Sequence, residues 1–235
     1  MEIQNDENFR NFSKWISLST SAMVLISFVI AITALPKSGP NCIASCVNYP
    51  YNDIVKFFPN DYFWMIPASI AMMLYSILFT CIHYQTRPSK KIFSQISVNF
   101  ALITTLILVL DYSVQLLVIQ PSLTNGEQEG IALLTQYNSH GIFIALEIIG
   151  YIIMIVSFGF VILSIDGFIK EGKIIKVILV ISLISSIIFF IILYGTYGLN
   201  TGDRFEVAII GITWTTLIVI GPILFRYFDK QKTGS

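Results

Sequence analysis

The chain has 235 residues, 55% of them hydrophobic and only 12% charged, with a mean hydropathy of +0.76. About a quarter of the residues in a soluble domain are charged, so this composition points to a protein whose solvent is largely lipid. Fourteen Lys and Arg balance 14 Asp and Glu, which removes the basic excess a nucleic-acid partner demands. Three cysteines are too few for a disulfide scaffold.

A helix needs about 20 mainly apolar residues to cross the hydrocarbon core. Six such runs are bounded by charge, Pro or Gly. The first, 15–35, lies between Lys14 and Pro36 and is too long for the apolar core of a signal peptide, so it reads as a retained span. The second, 62–83, carries Pro67 near its start, where a missing N–H costs least. The third, 93–120, is expected to stop at Pro121, and the fourth, 141–165, is closed by Asp166 and Gly167. The fifth covers 174–197 and the sixth 206–228. The expected fold is all-α, a polytopic membrane protein with a six-transmembrane-helix bundle. With no convincing internal repeat and no change in composition along the chain, residues 1–235 read as a single membrane domain.

Lys and Arg in short connections accumulate on the cytoplasmic side. Arg10, Lys14, Arg87, Lys90, Lys91, Lys170, Lys173, Lys176, Arg226, Lys230 and Lys232 fall on one side of the six spans, and only Lys37, Lys56 and Arg204 on the other. Both termini are therefore expected to be cytoplasmic, with loops 36–61, 121–140 and 198–205 external. The first of these carries its own aromatics, Tyr49, Tyr51, Phe57 and Phe58, and the second is acidic through Glu127 and Glu129.

Two carboxylates stand inside spans, Asp111 in the third and Glu147 in the fourth. An ionisable side chain at membrane depth costs roughly 2.5–3.5 kcal/mol on insertion scales, which makes it a functional candidate by default. At 1.5 Å per residue, Asp111 lies about 13 Å and Glu147 about 9 Å from the same outer face, so the acids are expected at similar depth. Ser97, Thr104, Asp111 and Gln115 share one stripe of the third span, and His140, Glu147 and Tyr151 one stripe of the fourth. Two facing polar stripes predict a polar cleft between these helices. Asp111 and Glu147 would form its floor, Gln115, Tyr151 and Thr104 would line it, and His140 would stand at its mouth. The same residues admit a plainer account, in which the acids hydrogen-bond to Gln115, Tyr112 or Tyr151 as interhelical glue. A third account has the acids acting as general acid and base.

Other signals are weaker. Cys42 and Cys46 sit in the first external loop, where an oxidising compartment would permit a disulfide, or they remain two separate thiols; Cys81 reads as a small buried hydrophobe. Glu206 opens the sixth span and reads as a favourable charge at a helix N-terminus rather than a third site acid. Trp15, Tyr62, Trp64 and Tyr227 lie at span ends, as interfacial anchors do. The chain contains no H-E-x-x-H, G-x-S-x-G or G-x-x-x-x-G-K-[ST] pattern. No lysine lies mid-span to carry a Schiff base. No catalytic residue, metal site or cofactor is assigned.

The stretch DYSVQLLVIQPSLTNGEQEGIALLTQYNSHGIFIALEIIGY, residues 111–151, resembles a family of uncharacterised small six-span prokaryotic integral membrane proteins. The resemblance extends over about residues 62–165. It implies a prokaryotic cytoplasmic membrane and no activity. In span count alone the chain also resembles the six-span substrate-binding subunits of vitamin transporters. The expected function is binding, with transport as its extension, of a small polar or amphipathic ligand or a cation, with membrane lipids as surroundings and no nucleic acid. Alternatives are a membrane-embedded lipid-modifying enzyme and a non-catalytic interaction or scaffold protein that meets its partner through the first loop.

Overall fold

A computed structural model describes residues 2–34, 37–39, 42 and 46–230, with side chains from residue 7 onward. Leu35 and Pro36, which bound the first expected span, and Lys232 of the basic side lie outside the described residues. The chain is 83% helical, and no strand occurs among the described residues. Six helices are long and apolar enough to cross a membrane.

The long helices are α1 (Glu2–Thr33), α2 (Met65–Tyr84), α3 (Lys91–Val114), α6 (Ile142–Ser164), α7 (Lys170–Tyr197) and α8 (Gly202–Lys230). Two short helices, α4 (Gln120–Thr124) and α5 (Ile131–Leu134), lie between α3 and α6. Contrary to expectation, helical structure continues past Pro121 to Thr124 through a π turn over Gln115–Ile119. Pro121 has no N–H for the regular α register. The widened turn just before it lets α4 restart with proline in its first positions, where that loss is harmless.

In the bundle α1 packs on α2, α2 on α3, α3 on α6, α6 on α8 and α8 back on α1. The ring so formed is flanked by α7, which touches α6 and α8. Only one stripe of α7 is buried, through Glu171, Ile175, Leu179, Ser182 and Ser186. Residues such as Ile181, Ile188 and Ile191 point outward and are exposed.

The helix contacts are close and polar, as expected where small residues and hydroxyls let backbones approach. Ser97 and Ser157 each donate to the other's carbonyl oxygen at 2.9 Å, tying α3 to α6. Nearby, Thr104 Oγ1 donates to the Gly150 carbonyl at 3.2 Å, and a Cβ at Gly150 would lie 2.7 Å from Leu108 Cδ2. Thr105 donates to the Met72 carbonyl between α3 and α2, and Ser21 to the Ile218 carbonyl between α1 and α8.

The start of α1 and the end of α8 lie at one pole. Lys14 near the N-terminus pairs with Asp229 near the C-terminus at 2.6 Å. At the same pole Arg87 pairs with Asp166 at 2.6 Å, and Lys230 pairs with Glu171. Of the expected anchors, only Trp15 faces outward. Tyr62, Trp64 and Tyr227 are buried, because each finds an aromatic or hydrogen-bonding partner in the bundle: Tyr137, Tyr112 and the Asp166 N–H, respectively.

Candidate functional site

The interior of the ring holds three carboxyl groups where the sequence pointed to two. Glu147 is 0%, Asp111 2% and Glu206 9% exposed. Glu206 is five residues into α8, which begins at Gly202, so Asp203 occupies the first turn instead. The second turn of α8 faces α6, and this brings Glu206 beside Glu147. Asp111 lies behind, within electrostatic range of both. Its Oδ2 is buried without a hydrogen-bond partner.

Glu147 is held by a chain of hydrogen bonds with a defined direction. Tyr112 donates its O–H to Glu147 Oε1 at 2.9 Å. Its own oxygen then accepts from Tyr151, 2.8 Å away. Tyr151 accepts in turn from Trp214 Nε1–H at 2.8 Å. The indole can only donate, and each phenol has a single proton, so the sequence of donors runs Trp214, Tyr151, Tyr112 and ends on the carboxyl. Glu147 Oε2 takes no part in this chain of hydrogen bonds, and the Glu206 carboxyl lies within hydrogen-bonding reach of Glu147. All three aromatic donors are buried, and Trp64 stacks edgewise on Tyr112 with centroids 5.2 Å apart.

A cavity of about 560 Å³ reaches from the pole opposite the chain ends down to Glu147, Glu206 and Trp214. Such a volume is typical of small-molecule sites. Glu147 has no accessible surface of its own and belongs to the closed inner part of the wall. At the mouth, Lys37, Asp61, Tyr137 and Asp203 contribute. Tyr137 donates to Asp61 Oδ2 at 3.0 Å, and burial pushes the Tyr137 phenol well up, so it keeps this proton. Phe57 of the first loop packs against Tyr137 with centroids 5.8 Å apart. Tyr51 is also half-buried, whereas Tyr49 and Phe58 are exposed.

The cavity lies between α1, α6 and α8, not between α3 and α6 as the polar stripes suggested. The α3–α6 contact is closed by the Ser97–Ser157 exchange and by Leu108 against Gly150. Thr104 is spent on the same contact. Gln115 is a clamp for the following connection: its Nε2 donates to the Leu134 carbonyl at 2.6 Å, and its Oε1 accepts from the Gln136 N–H at 3.0 Å. Tyr151 supports Glu147 through Tyr112 and does not reach the cavity wall. His140 is exposed, away from the cavity lining, and its backbone N–H is bound by the Asn138 side chain.

Sequence reasoning gave Glu206 a helix-terminus role and Trp64 an interfacial one, and passed over Trp214. A signal for the first existed in its spacing, because Glu206, Thr213 and Leu217 fall on one helical stripe. Nothing local marks the two tryptophans, whose indoles meet at 6.0 Å across the bundle. In the first loop Cys42 and Cys46 are joined by a disulfide, with Cα atoms 5.9 Å apart. Comparison with protein-family models, with curated proteins and with solved structures finds no match for this chain.

Proposed function

We propose that the chain is a multi-pass integral protein of the cytoplasmic membrane, one membrane domain over residues 1–235, that binds a small polar or amphipathic ligand or a cation. The single observation behind this reading is a cavity of about 560 Å³ that ends on two buried carboxyl groups, Glu147 and Glu206. A buried acid costs stability unless it is paired or serves a ligand, and Glu147 and Glu206 stand side by side with Tyr112 donating to the first. Asp111 backs the site from α3. Binding is the part this geometry supports. Transport would need a second opening, and the polar residues at the cavity mouth all belong to one pole.

Charge supports the orientation. The pole with both chain ends carries Lys14, Arg87, Lys90, Lys91, Lys173 and Arg226 among its basic residues, and such an excess favours the cytoplasm. The cavity then opens to the outside.

Native mass spectrometry of the gently purified protein tests the binding role. A retained adduct of defined mass is expected in the wild type and in Asp111→Asn, and is expected to be lost in Glu147→Gln and Glu206→Gln. An identical adduct in all four proteins, or none in any, refutes it. Impermeant labelling of single cysteines placed at Asn200 and Gln85 checks the orientation, with only the first expected to react from outside.

A further inference from the structure

The chemistry of the cavity narrows the ligand, and the inference rests on the binding role proposed above. We propose that the site takes an organic ammonium: a protonated amine on an apolar body, its charge at Glu206 with Glu147 closing the wall behind it, and its body against Trp64, Trp214 and Phe28.

Charge is the first ground. Four carboxyl groups line the cavity, two inside and two at the mouth, against one basic side chain, Lys37. Lys37 stands at the mouth, where its Nζ lies 5.5 Å from the centre of the Phe57 ring. Among the described residues the inner acids therefore have no cationic partner in the wall. Glu147 Oε1 accepts from Tyr112 and the Glu206 carboxyl is within hydrogen-bonding reach of Glu147, so this end of the cavity holds two acids and, among the described residues, no positive charge.

The walls decide what kind of cation fits. Phe28 meets Trp214 edge to face at 6.0 Å, and Trp214 meets Trp64 at 6.0 Å. Aromatic faces attract an alkylammonium through the ring quadrupole while accommodating its carbon. They offer no lone pairs to replace the oxygen shell of a small inorganic ion. No group of three or more His, Cys, Asp or Glu among the described residues is arranged to hold a metal.

The cavity also reaches the flank of the bundle. Ile32 on α1 and Val207 on α8 both line it, yet are 62% and 56% exposed. Gly211 lies one turn further along α8, and a Cβ there would meet nothing within 4 Å. An apolar tail can therefore lie between α1 and α8 while the ammonium stays at the acids. A free amine and an aminolipid headgroup share this chemistry.

Tryptophan emission supplies the test, because Trp64 and Trp214 line the cavity and the third tryptophan, Trp15, can be replaced by Phe without touching it. The full chain with Trp15→Phe, in phosphatidylglycerol nanodiscs, is titrated with phenethylammonium, with neutral 2-phenylethanol and with anionic phenylacetate. The ammonium is expected to bind at least tenfold more tightly than either, and Glu147→Gln and Glu206→Gln are each expected to erase that preference while the alcohol still binds. Equal binding of alcohol and ammonium overturns the ammonium assignment and leaves the cavity as a binding site. No response to any of the three, with the helical signal intact, overturns both. A repeat in discs containing phosphatidylethanolamine separates the two sources: a weakened amine response assigns the lipid headgroup, and an unchanged one assigns a free amine.

Discussion

Replacing Tyr112 with Phe removes one oxygen from the middle of the donor chain that ends on Glu147. Two buried groups are stranded: the Tyr151 O–H loses its acceptor and Glu147 Oε1 loses its donor. The equivalent change at Tyr151 strands only the Trp214 N–H, because Tyr112 still donates to Glu147. A buried polar group left unsatisfied costs about 1–3 kcal/mol, and interhelical hydrogen bonds in a bilayer average nearer 0.6 kcal/mol. Tyr112→Phe should therefore cost about 1–6 kcal/mol in all and Tyr151→Phe about half that, on the same scales. Equilibrium unfolding in mixed micelles with rising denaturing detergent measures both. A cost for Tyr151→Phe equal to or above that for Tyr112→Phe refutes the assigned donor direction. Costs below about 0.5 kcal/mol for both would mean that the chain of hydrogen bonds carries no stability.

Gly211→Ala should stabilise the protein by about 0.8–1 kcal/mol, the helix-propensity difference, since the added methyl meets no atom within 4 Å; Gly211→Phe should fill the cavity and lower phenethylammonium affinity at least tenfold without loss of stability, whereas clear destabilisation in unfolding assays would show that the space is not there. In the folded protein, maleimide should label no cysteine until a reductant opens the Cys42–Cys46 bond, after which two labels are expected by mass; the buried Cys81 should take a third only on unfolding, and labelling before reduction contradicts the disulfide.

Six apolar runs were legible because a helix long enough to cross a bilayer must be apolar along its length, whatever it packs against. Asp111 and Glu147 were legible for the complementary reason: each interrupts such a run. Glu206 was not, because five residues into α8 it looks like an ordinary acid near a helix start. The π turn before Pro121 was missed because proline more often ends a helix than restarts one. His140 and Gln115 share helical stripes with the acids, yet lie at or beyond the turn where regular helix geometry gives way, so the stripe does not carry to them.

Length, hydropathy and charge are properties of residues taken one after another, and they suffice for an all-helical chain with six long apolar helices and an uneven distribution of basic charge. Which polar face meets which was decided only by tertiary packing. A glycine at 150 and serines at 97 and 157 let α3 and α6 close on each other, and this left the open space on the far side of Glu147, against α1 and α8. Helical periodicity places a residue on a face, but how closely two faces approach depends on the side chains of both helices together.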